Sequence, residues 1–549
     1  MSVLRFAMAQ FDFPVGAVAA NAARMAQLAG EARAAGCALV AFPELALSGY
    51  PPEDLLLRPA FVAACDDALH TLAHASGDIA VCVGHPHRDS GLCNALSVLR
   101  DGGVELTHCK RALPDYGVFD EQRYFKSGRD SAVVEIDGVR VGLLICEDVW
   151  TDEAARAAVA AGADLLLVIN ASPFDIHQAA RRDEVLVRHA RDNNVAIAYL
   201  NAVGGQDDLL FDGASLLVES DGRIAARADA FADLLLIAQY DARTRRFRAH
   251  WAHAVDSISA TAPDATIYAG LVRGIRDYVG KNGFSGVLLG LSGGVDSALT
   301  LALAVDALGA DHVDAVMLPS RHTSELSLRE AEAQARALGV AYRTFSIEHA
   351  FEAFVATLAP AFAGLAADTA EENLQARCRG VILMALSNKF GRLLLATGNK
   401  SELAVGYATL YGDMCGAYAP LKDVYKTVVY RLAHWRNGRA TAGGNARDWI
   451  IPPAVIARAP SAELRDGQTD QDSLPPYDVL DAILERFIEG AQSVDDIAAA
   501  GHDEATVQRV ARLVYANEYK RRQAPPGPKI TTCAFGRERR YPISSGWRY

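Results

Sequence analysis

The chain has 549 residues, of which 51% are hydrophobic and 22% charged, a balance typical of a globular protein with room for two or more domains. Its net charge of -13 and pI near 5.6 disfavour a general nucleic-acid-binding or anionic-membrane surface. Because no apolar run approaches the ~18 residues of a membrane span and the nine cysteines are scattered without a Cys-x-x-Cys pair, we expect a cytoplasmic protein with no membrane or nucleic-acid partner and no structural zinc.

Residues 1–245 alternate between short apolar runs and alanine-rich stretches, which predicts an α/β fold with layered sheets. The N-terminus is expected to form the first strand rather than a signal peptide. The last two apolar runs end in polar residues, as strands do when their carboxyl ends line a site. The predicted strands cover residues 3–10, 38–42, 78–84, 95–100, 139–145 and 165–170, and a helix covers residues 21–35.

Three residues at predicted strand or loop ends could act together: Glu44, Lys110 and Cys146. A thiolate is a strong nucleophile, and a neighbouring lysine would favour it over the thiol. A nearby carboxylate could accept the proton and return it to a leaving amine. Taken singly, these residues are also compatible with a turn, a solvated lysine and a small core residue.

The sequence motifs around these residues resemble those of the nitrilase-type glutaminase domain. They lie in residues 42–51, 110–121, 145–150, 170–174 and 201–208. The resemblance implies an αββα sandwich in which Cys146 attacks the glutamine side-chain amide, Glu44 is the general base and acid, and Lys110 stabilises the oxyanion. The implied glutamine-binding residues are Tyr116, Glu121, Ser172, Phe174 and Gln178. Relatives often carry a basic residue where Gln178 stands, which leaves Arg181 or Arg182 as alternatives for binding the glutamine carboxylate.

Residues 251–265 are small, polar and interrupted by proline, which predicts a linker between domains of residues 1–250 and 266–549. The second domain again alternates helices and strands, as a doubly wound parallel sheet does. Its predicted helices lie in residues 267–280, 298–304, 327–338 and 371–379, and its predicted strands in residues 287–291, 313–318 and 393–396.

A glycine-rich turn, Ser-Gly-Gly-Val-Asp-Ser at residues 292–297, connects the first of these strands to a helix. Gly293 and Gly294 lack side chains that would keep backbone N–H groups from an anion, and Ser292 and Ser297 add hydroxyl donors at the helix N-terminus. No Gly-Lys-Ser/Thr follows, so the turn is not a Walker A loop. Asp296 could instead hold the Mg²⁺ that accompanies a polyphosphate.

This turn resembles the pyrophosphate loop of the ATP pyrophosphatases, which activate a carboxylate or carbonyl by adenylation and share an adenine nucleotide hydrolase-like fold. Further sequence motifs closely resemble those of the NAD synthetases. They lie in residues 397–402, 406–413, 420–426, 460–464, 468–478, 517–522 and 535–542. The resemblance implies that ATP adenylates the carboxylate of deamido-NAD and that ammonia then displaces AMP. It also implies a homo-oligomer and an enclosed ammonia path.

The same resemblance assigns substrate contacts. Its implied ATP-binding residues are Ser292, Gly293, Gly294, Val295, Asp296, Ser297, Arg377, Thr397 and Lys426. Its implied deamido-NAD-binding residues are Asn373, Glu402, Asp413 and Lys520, and the implied Mg²⁺ ligands are Asp296 and Glu402.

Two other functions stay open on the sequence. Asparagine or GMP synthetase would share the pyrophosphate loop, although those enzymes use other glutaminases and residue 2 is Ser rather than a nucleophilic Cys. A nucleotide-binding sensor without catalysis would also keep the loop. Release of AMP would separate a synthetase from a sensor.

Overall fold

The computed structural model describes residues 3–251, 263–442 and 449–547. The chain divides into two compact units, Met1–Thr261 and Ala262–Tyr549. Of the predicted linker, residues 252–262 lie outside the described residues, and residues 263–265 already belong to a helix that begins at Pro263. None of the described helices combines the length and the apolarity that a bilayer-spanning segment requires.

The described part of the first unit contains two large sheets, one two-stranded sheet and four α-helices. In chain order its elements are β1 (Val3–Gln10), α1 (Val18–Ala34), β2 (Leu39–Ala41), α2 (Pro59–Ser76), β3 (Ala80–Arg88), β4 (Leu92–Arg100), β5 (Gly103–Cys109), β6 (Ala132–Ile136), β7 (Val139–Ile145), α3 (Asp152–Ala160), β8 (Leu165–Asn170), α4 (Gln178–Asp192), β9 (Ala196–Asn201), β10 (Val203–Gln206), β11 (Leu209–Asp212), β12 (Leu216–Val218), β13 (Ile224–Arg227), β14 (Leu234–Asp241) and β15 (Arg246–Ala249).

The strands form a seven-stranded sheet in the order β15-β14-β1-β2-β3-β4-β5 and a six-stranded sheet in the order β13-β12-β9-β8-β7-β6, and β10 pairs with β11 in a two-stranded sheet. Alternate residues of the two sheets, such as Phe6 and Leu143, pack against each other in one apolar core. The opposite face of the first sheet packs on α1 and α2, and that of the second on α3 and α4. This is the predicted αββα sandwich, which the structure confirms.

The second unit contains a four-stranded sheet and many helices. Its elements are α5 (Pro263–Lys281), β16 (Val287–Gly290), α6 (Val295–Leu308), β17 (Val313–Met317), α7 (Glu325–Leu338), β18 (Ala341–Thr344), α8 (Glu348–Leu358), α9 (Thr369–Phe390), β19 (Leu393–Leu395), α10 (Lys400–Val405), α11 (Lys426–Ala442), α12 (Pro453–Ala457), α13 (Tyr477–Leu484), α14 (Val494–Ala499), α15 (Glu504–Ala516) and α16 (Glu518–Arg521).

All four strands of this sheet are parallel, in the order β18-β17-β16-β19. Helix α9 packs on β16 and β19 through residues such as Cys378 against Leu288, whereas α6 contacts β16 and β17. The predicted doubly wound parallel sheet is therefore confirmed. Because β16 and β19 are neighbours and run in the same direction, the turns that follow them open at the same edge of the sheet.

Candidate active sites

Glu44 lies in the turn that follows β2, where the chain passes unusually close to β3. A Cβ atom on Gly84 would stand 2.3 Å from the Pro43 carbonyl oxygen and 2.5 Å from the Leu45 nitrogen, so only glycine permits this approach. The Glu44 side chain is 1% exposed. The turn thereby points a carboxylate into the interior of the sandwich.

Buried donors surround this carboxylate. Lys110 Nζ donates to Glu44 Oε1 at 2.7 Å, and Asn94 Nδ2 donates to the same oxygen at 2.7 Å. The backbone N–H of Ala171 donates to Oε2 at 3.0 Å. Lys110 Nζ also donates to Glu121 Oε1 at 2.8 Å. One buried ammonium therefore joins two of the predicted site carboxylates.

The carboxylates decide the protonation state of this lysine. Burial alone would lower the pKa of Lys110, but Glu121 and Glu44 outweigh it and raise that pKa well above its ordinary value. Burial raises the pKa of Glu121 to about 7, against the attraction of Lys110 and with the repulsion of Glu44. Glu121 Oε2 is buried and accepts no hydrogen bond within the described residues.

Cys146 stands where β7 ends and a 3-10 turn, Cys146–Val149, begins. Its φ of +44° is unusual for a residue with a side chain, and such strained positions are common for nucleophiles that must project from a sharp turn. Burial raises the pKa of the Cys146 thiol well above its ordinary value, Glu44 raises it further, and Lys110 opposes both. Lys110 therefore favours the thiolate, whereas burial and Glu44 favour the thiol.

The other predicted glutamine-pocket residues lie in two places. Gln178, the first residue of α4, donates through Nε2 to the hydroxyl of Ser172 at 3.2 Å. Phe174 is buried, with its ring centroid 5.3 Å from that of Phe231. Tyr116 is 58% exposed, and its hydroxyl donates to Glu147 at 3.0 Å.

The two arginines that could replace a basic residue at position 178 are both engaged. Arg182 is 1% exposed and donates to both carboxylate oxygens of Asp212, at 2.8 and 3.0 Å. Arg181 forms an ion pair with Asp175 and is about half exposed. Arg181 is therefore the more accessible of the two cations.

The glycine turn of the second unit connects β16 to α6 and is tied together by its own hydroxyls. Ser297 Oγ donates to the Gly294 carbonyl oxygen at 3.0 Å and lies 3.1 Å from Ser292 Oγ. Gly293 has a φ of +82°, and a Cβ atom there would stand 2.7 Å from the Ser327 carbonyl oxygen. The sequence expectation of a tight turn at a helix N-terminus is met in the structure.

A second buried lysine links the predicted metal ligands. Lys426 Nζ donates to Asp296 Oδ2 and, at 3.1 Å, to Glu402 Oε1. Burial would lower the pKa of Lys426, but the Asp296 and Glu402 carboxylates outweigh it and raise that pKa. Burial raises the pKa of Glu402 to about 7, which Lys426 opposes and Asp296 reinforces. Asn399 Nδ2 also donates to Asp296 Oδ1, at 2.9 Å.

Asp296, Glu402 and Lys426 line an open pocket with a volume of about 280 Å³. Thr397 and Asp413 line it as well. Asn373 is connected to it through Thr409, whose hydroxyl donates to Asn373 Oδ1 at 2.7 Å. Lys520 donates to the carbonyl oxygens of Gly406 and Ala408, at 2.7 and 2.8 Å.

Comparison with known proteins assigns the two units. The carbon-nitrogen hydrolase family model matches residues 5–249, and the NAD synthase family model matches residues 267–524. A glutamine-dependent NAD(+) synthetase of Xanthomonas campestris pv. campestris is 57% identical over 549 residues, which cover 99% of this chain and 98% of the relative. The chain belongs to the glutamine-dependent NAD(+) synthetases. The family reaction is the ATP-dependent amidation of deamido-NAD with nitrogen from glutamine, so ATP is a substrate.

Other members of the family agree over the full length. The glutamine-dependent NAD(+) synthetase of Acinetobacter baylyi is 48% identical and covers 100% of this chain and 99% of its own. A solved structure of the Acinetobacter baumannii synthetase in complex with ADP matches with a TM-score of 0.79 at 44% identity, over 99% of each chain. Membership in this family excludes the alternative hypotheses of an asparagine synthetase, a GMP synthetase and a nucleotide-binding sensor.

The structure of this NAD synthetase also brings in residues that the sequence did not single out. Asn94 is the one amide side chain within the largely apolar strand β4, and this polar residue in an apolar strand could have marked it as a site residue. Arg379 lines the pocket, whereas Arg377 donates to the Leu410 carbonyl oxygen at 3.2 Å. Arg458 also lines the pocket and donates to Ser327 Oγ at 2.5 Å.

The raised pKa of Glu121 predicts a pH dependence of stability. Unfolded, this carboxyl ionises near its ordinary 4.5, whereas folded it ionises at about 7, so raising the pH between these values favours the unfolded chain. Glu121→Gln does not titrate there. The measurement is the free energy of unfolding of each protein, from urea titrations at several pH values. We expect the value for Glu121→Gln minus the value for the unsubstituted chain to rise from pH 4.5 to 7 and to stay level above pH 7. Parallel pH profiles of the two proteins would contradict the assignment.

Proposed function

We propose that Glu44, Lys110 and Cys146 form the glutaminase site of this synthetase, and that the pocket around Asp296 and Lys426 carries the amidation of deamido-NAD. The observation that carries the first assignment is the buried contact of Lys110 with both Glu44 and Glu121. The second rests on a glycine turn and two lysine-linked carboxylates in one pocket.

The hydrogen bonds around Glu44 indicate how the thiol is activated. Glu44 Oε1 already accepts from Lys110 and Asn94, whereas Oε2 accepts from the Ala171 N–H. A carboxylate oxygen has two lone pairs, so Oε2 can take the Cys146 proton. Because burial and Glu44 favour the protonated thiol, we propose that this transfer accompanies attack of sulfur on the side-chain carbonyl carbon of glutamine.

The later steps return the proton. Attack places a negative charge on the former carbonyl oxygen, which the Lys110 ammonium stabilises. Glu44 gives its proton to the amide nitrogen as the C–N bond breaks, and ammonia leaves. Water, deprotonated by Glu44, then attacks the thioester; glutamate departs and the sulfur recovers its proton.

Glutamine would bind between the Ser172–Gln178 hydrogen bond and the Tyr116–Glu147 pair. Phe174 would supply an apolar wall, and the free Oε2 of Glu121 would accept from the amide NH₂. Gln178 and Arg181 are the two candidates for the glutamine carboxylate, since Arg182 is already paired with Asp212.

In the second unit, Ser292, Gly293, Gly294, Val295 and Ser297 would bind the ATP pyrophosphate through backbone N–H groups and hydroxyls. Thr397 lines the same pocket and would contact the nucleotide. Lys426 would face the phosphates, and Arg377 remains a proposed but more distant contact. For deamido-NAD we propose Asn373, Glu402, Asp413 and Lys520.

Asp296 and Glu402 suit Mg²⁺, because this ion typically uses one or two carboxylates together with water and substrate phosphates. Among the described residues, no group of three or more acidic, histidine or cysteine side chains could hold a metal unaided. Asp296 and Glu402 both contact Lys426 Nζ, so their carboxylates lie close to each other. When bound, Mg²⁺ would neutralise charge on the leaving pyrophosphate.

The adenylated carboxylate would react with water as well as with ammonia. We therefore propose that ammonia reaches it by an enclosed path rather than through bulk solvent. We also propose that the protein works in the cytoplasm, where its nine cysteines would stay unpaired, as they are in the structure.

We further propose a homo-oligomer that uses the outer faces of α8 and α9. No residue of α8 is fully buried, although this helix is rich in apolar side chains. Phe354 of α8 is 46% exposed and Val381 of the adjacent α9 is 62% exposed. Exposed apolar surface of this kind on neighbouring elements is typical of protein interfaces.

Removing the nucleophile should separate the two reactions. We expect Cys146→Ala to abolish NAD formation from glutamine, because no thioester can form, while NAD formation from ammonium chloride stays within about twofold of the unsubstituted enzyme. Both rates are measured as NAD formed with Mg-ATP and deamido-NAD. Retained glutamine-dependent synthesis would remove Cys146 from the mechanism.

The matched variant in the other unit is Asp296→Ala. Adenylation serves either nitrogen donor, so this change should lower both rates by at least about 100-fold while glutaminase activity, measured as glutamate released, persists. AMP formation at the unsubstituted rate would contradict the role of Asp296.

Charge on the α8–α9 face should disrupt the oligomer. We expect light scattering to give the unsubstituted protein a mass of at least twice its 58.7 kDa, and Phe354→Asp with Val381→Asp to lower that mass. The control is Leu57→Asp, at a residue that is 58% exposed in the first unit, which should leave the mass unchanged. A monomeric unsubstituted protein, or an unaffected double variant, would contradict this interface.

A further inference from the structure

A single buried carboxylate, Asp148, holds the two backbone segments that carry Lys110 and Cys146. Its Oδ1 accepts the N–H groups of Arg111 and Ala112, each at 2.9 Å, immediately after Lys110. Its Oδ2 accepts the N–H of Ile145 at 3.1 Å, immediately before Cys146. The Asp148 side chain has no exposed surface.

These two segments belong to different sheets. Lys110 follows β5, at the edge of the seven-stranded sheet, and Cys146 follows β7, in the six-stranded sheet. The core between the sheets is apolar, and such packing is non-directional and does not fix side-chain positions along a strand. Catalytic groups, in contrast, must be placed to within a fraction of an ångström.

Asp148 also supports the strained turn of the nucleophile. Its bond to the Ile145 N–H closes the 3-10 turn Cys146–Val149 from within, and Cys146 itself has a φ of +44°. The fourth polar group at this carboxylate is His108 of β5, whose Nε2 lies 3.5 Å from Oδ2. Contacts from both sheets thus converge on one side chain.

We propose that Asp148 is a positioning residue that sets the distance between the Lys110 ammonium and the Cys146 thiol. This inference rests on the proposed glutaminase roles of those two residues. Asp148 touches neither substrate nor sulfur in this role and acts only through the backbone. Its loss should therefore affect the chemical step more than glutamine binding.

The decisive variant is Asp148→Asn, which keeps the shape but replaces one acceptor oxygen with an NH₂ group that must face an N–H donor. We expect kcat with glutamine to fall about 100-fold, KM for glutamine to change less than about threefold, and ammonia-dependent synthesis to be unchanged. Asp152→Asn is the matched control, since that carboxylate is 47% exposed and pairs with Arg156 on the surface.

A kcat within threefold of the unsubstituted enzyme, or a rise in KM alone, would overturn the proposal. If Asp148→Asn does not fold, Asp148→Glu keeps the charge and the acceptors but adds one methylene; it should fold and lower kcat at least about tenfold. An unchanged kcat in Asp148→Glu would overturn the proposal as well. Failure of the glutaminase assignment itself is distinguishable, because Cys146→Ala would then retain glutamine use.

Discussion

A buried lysine between two carboxylates is the interaction on which each site of this protein depends. In the first unit Lys110 joins Glu44 and Glu121, and in the second Lys426 joins Asp296 and Glu402. One ammonium cannot neutralise two carboxylates, so each cluster keeps a net negative charge in a poorly solvated place. Burial, reinforced by the neighbouring carboxylate, raises the pKa of one carboxyl in each cluster to about 7. We propose that a proton relieves this excess charge in the first site and that a divalent cation relieves it in the second.

The sandwich brings the first cluster together from both sheets. Glu44 follows β2 and Lys110 follows β5 of one sheet, whereas Cys146 follows β7 and Ala171 follows β8 of the other. The core between the sheets is apolar and excludes water, which strengthens the interactions among the few polar groups at its end. In the second unit a single sheet brings the cluster together, because the turns after β16 and β19 open at one edge of that sheet.

The sequence predicted the parts of this structure that depend on local pattern. Strands β1, β7 and β8 have the predicted bounds because their sequences are predominantly apolar. Short or edge strands such as β6 and β13 were missed because they alternate weakly. The role of Asn94 could not be predicted, since its partner Glu44 is 50 residues away. The opposition between burial and Lys110 at Cys146 could not be predicted, because the sequence does not report burial.

The central claim is that the nitrogen freed at Cys146 is the nitrogen that enters NAD. The direct test supplies the protein with Mg-ATP, deamido-NAD, glutamine labelled with ¹⁵N at the side-chain amide, and unlabelled ammonium as competitor, and reads the NAD by mass spectrometry. Enclosed transfer between the two sites predicts labelled NAD and an equal amount of AMP. Unlabelled NAD would contradict enclosed transfer, and an absence of NAD would contradict the assignment of the site in the second unit.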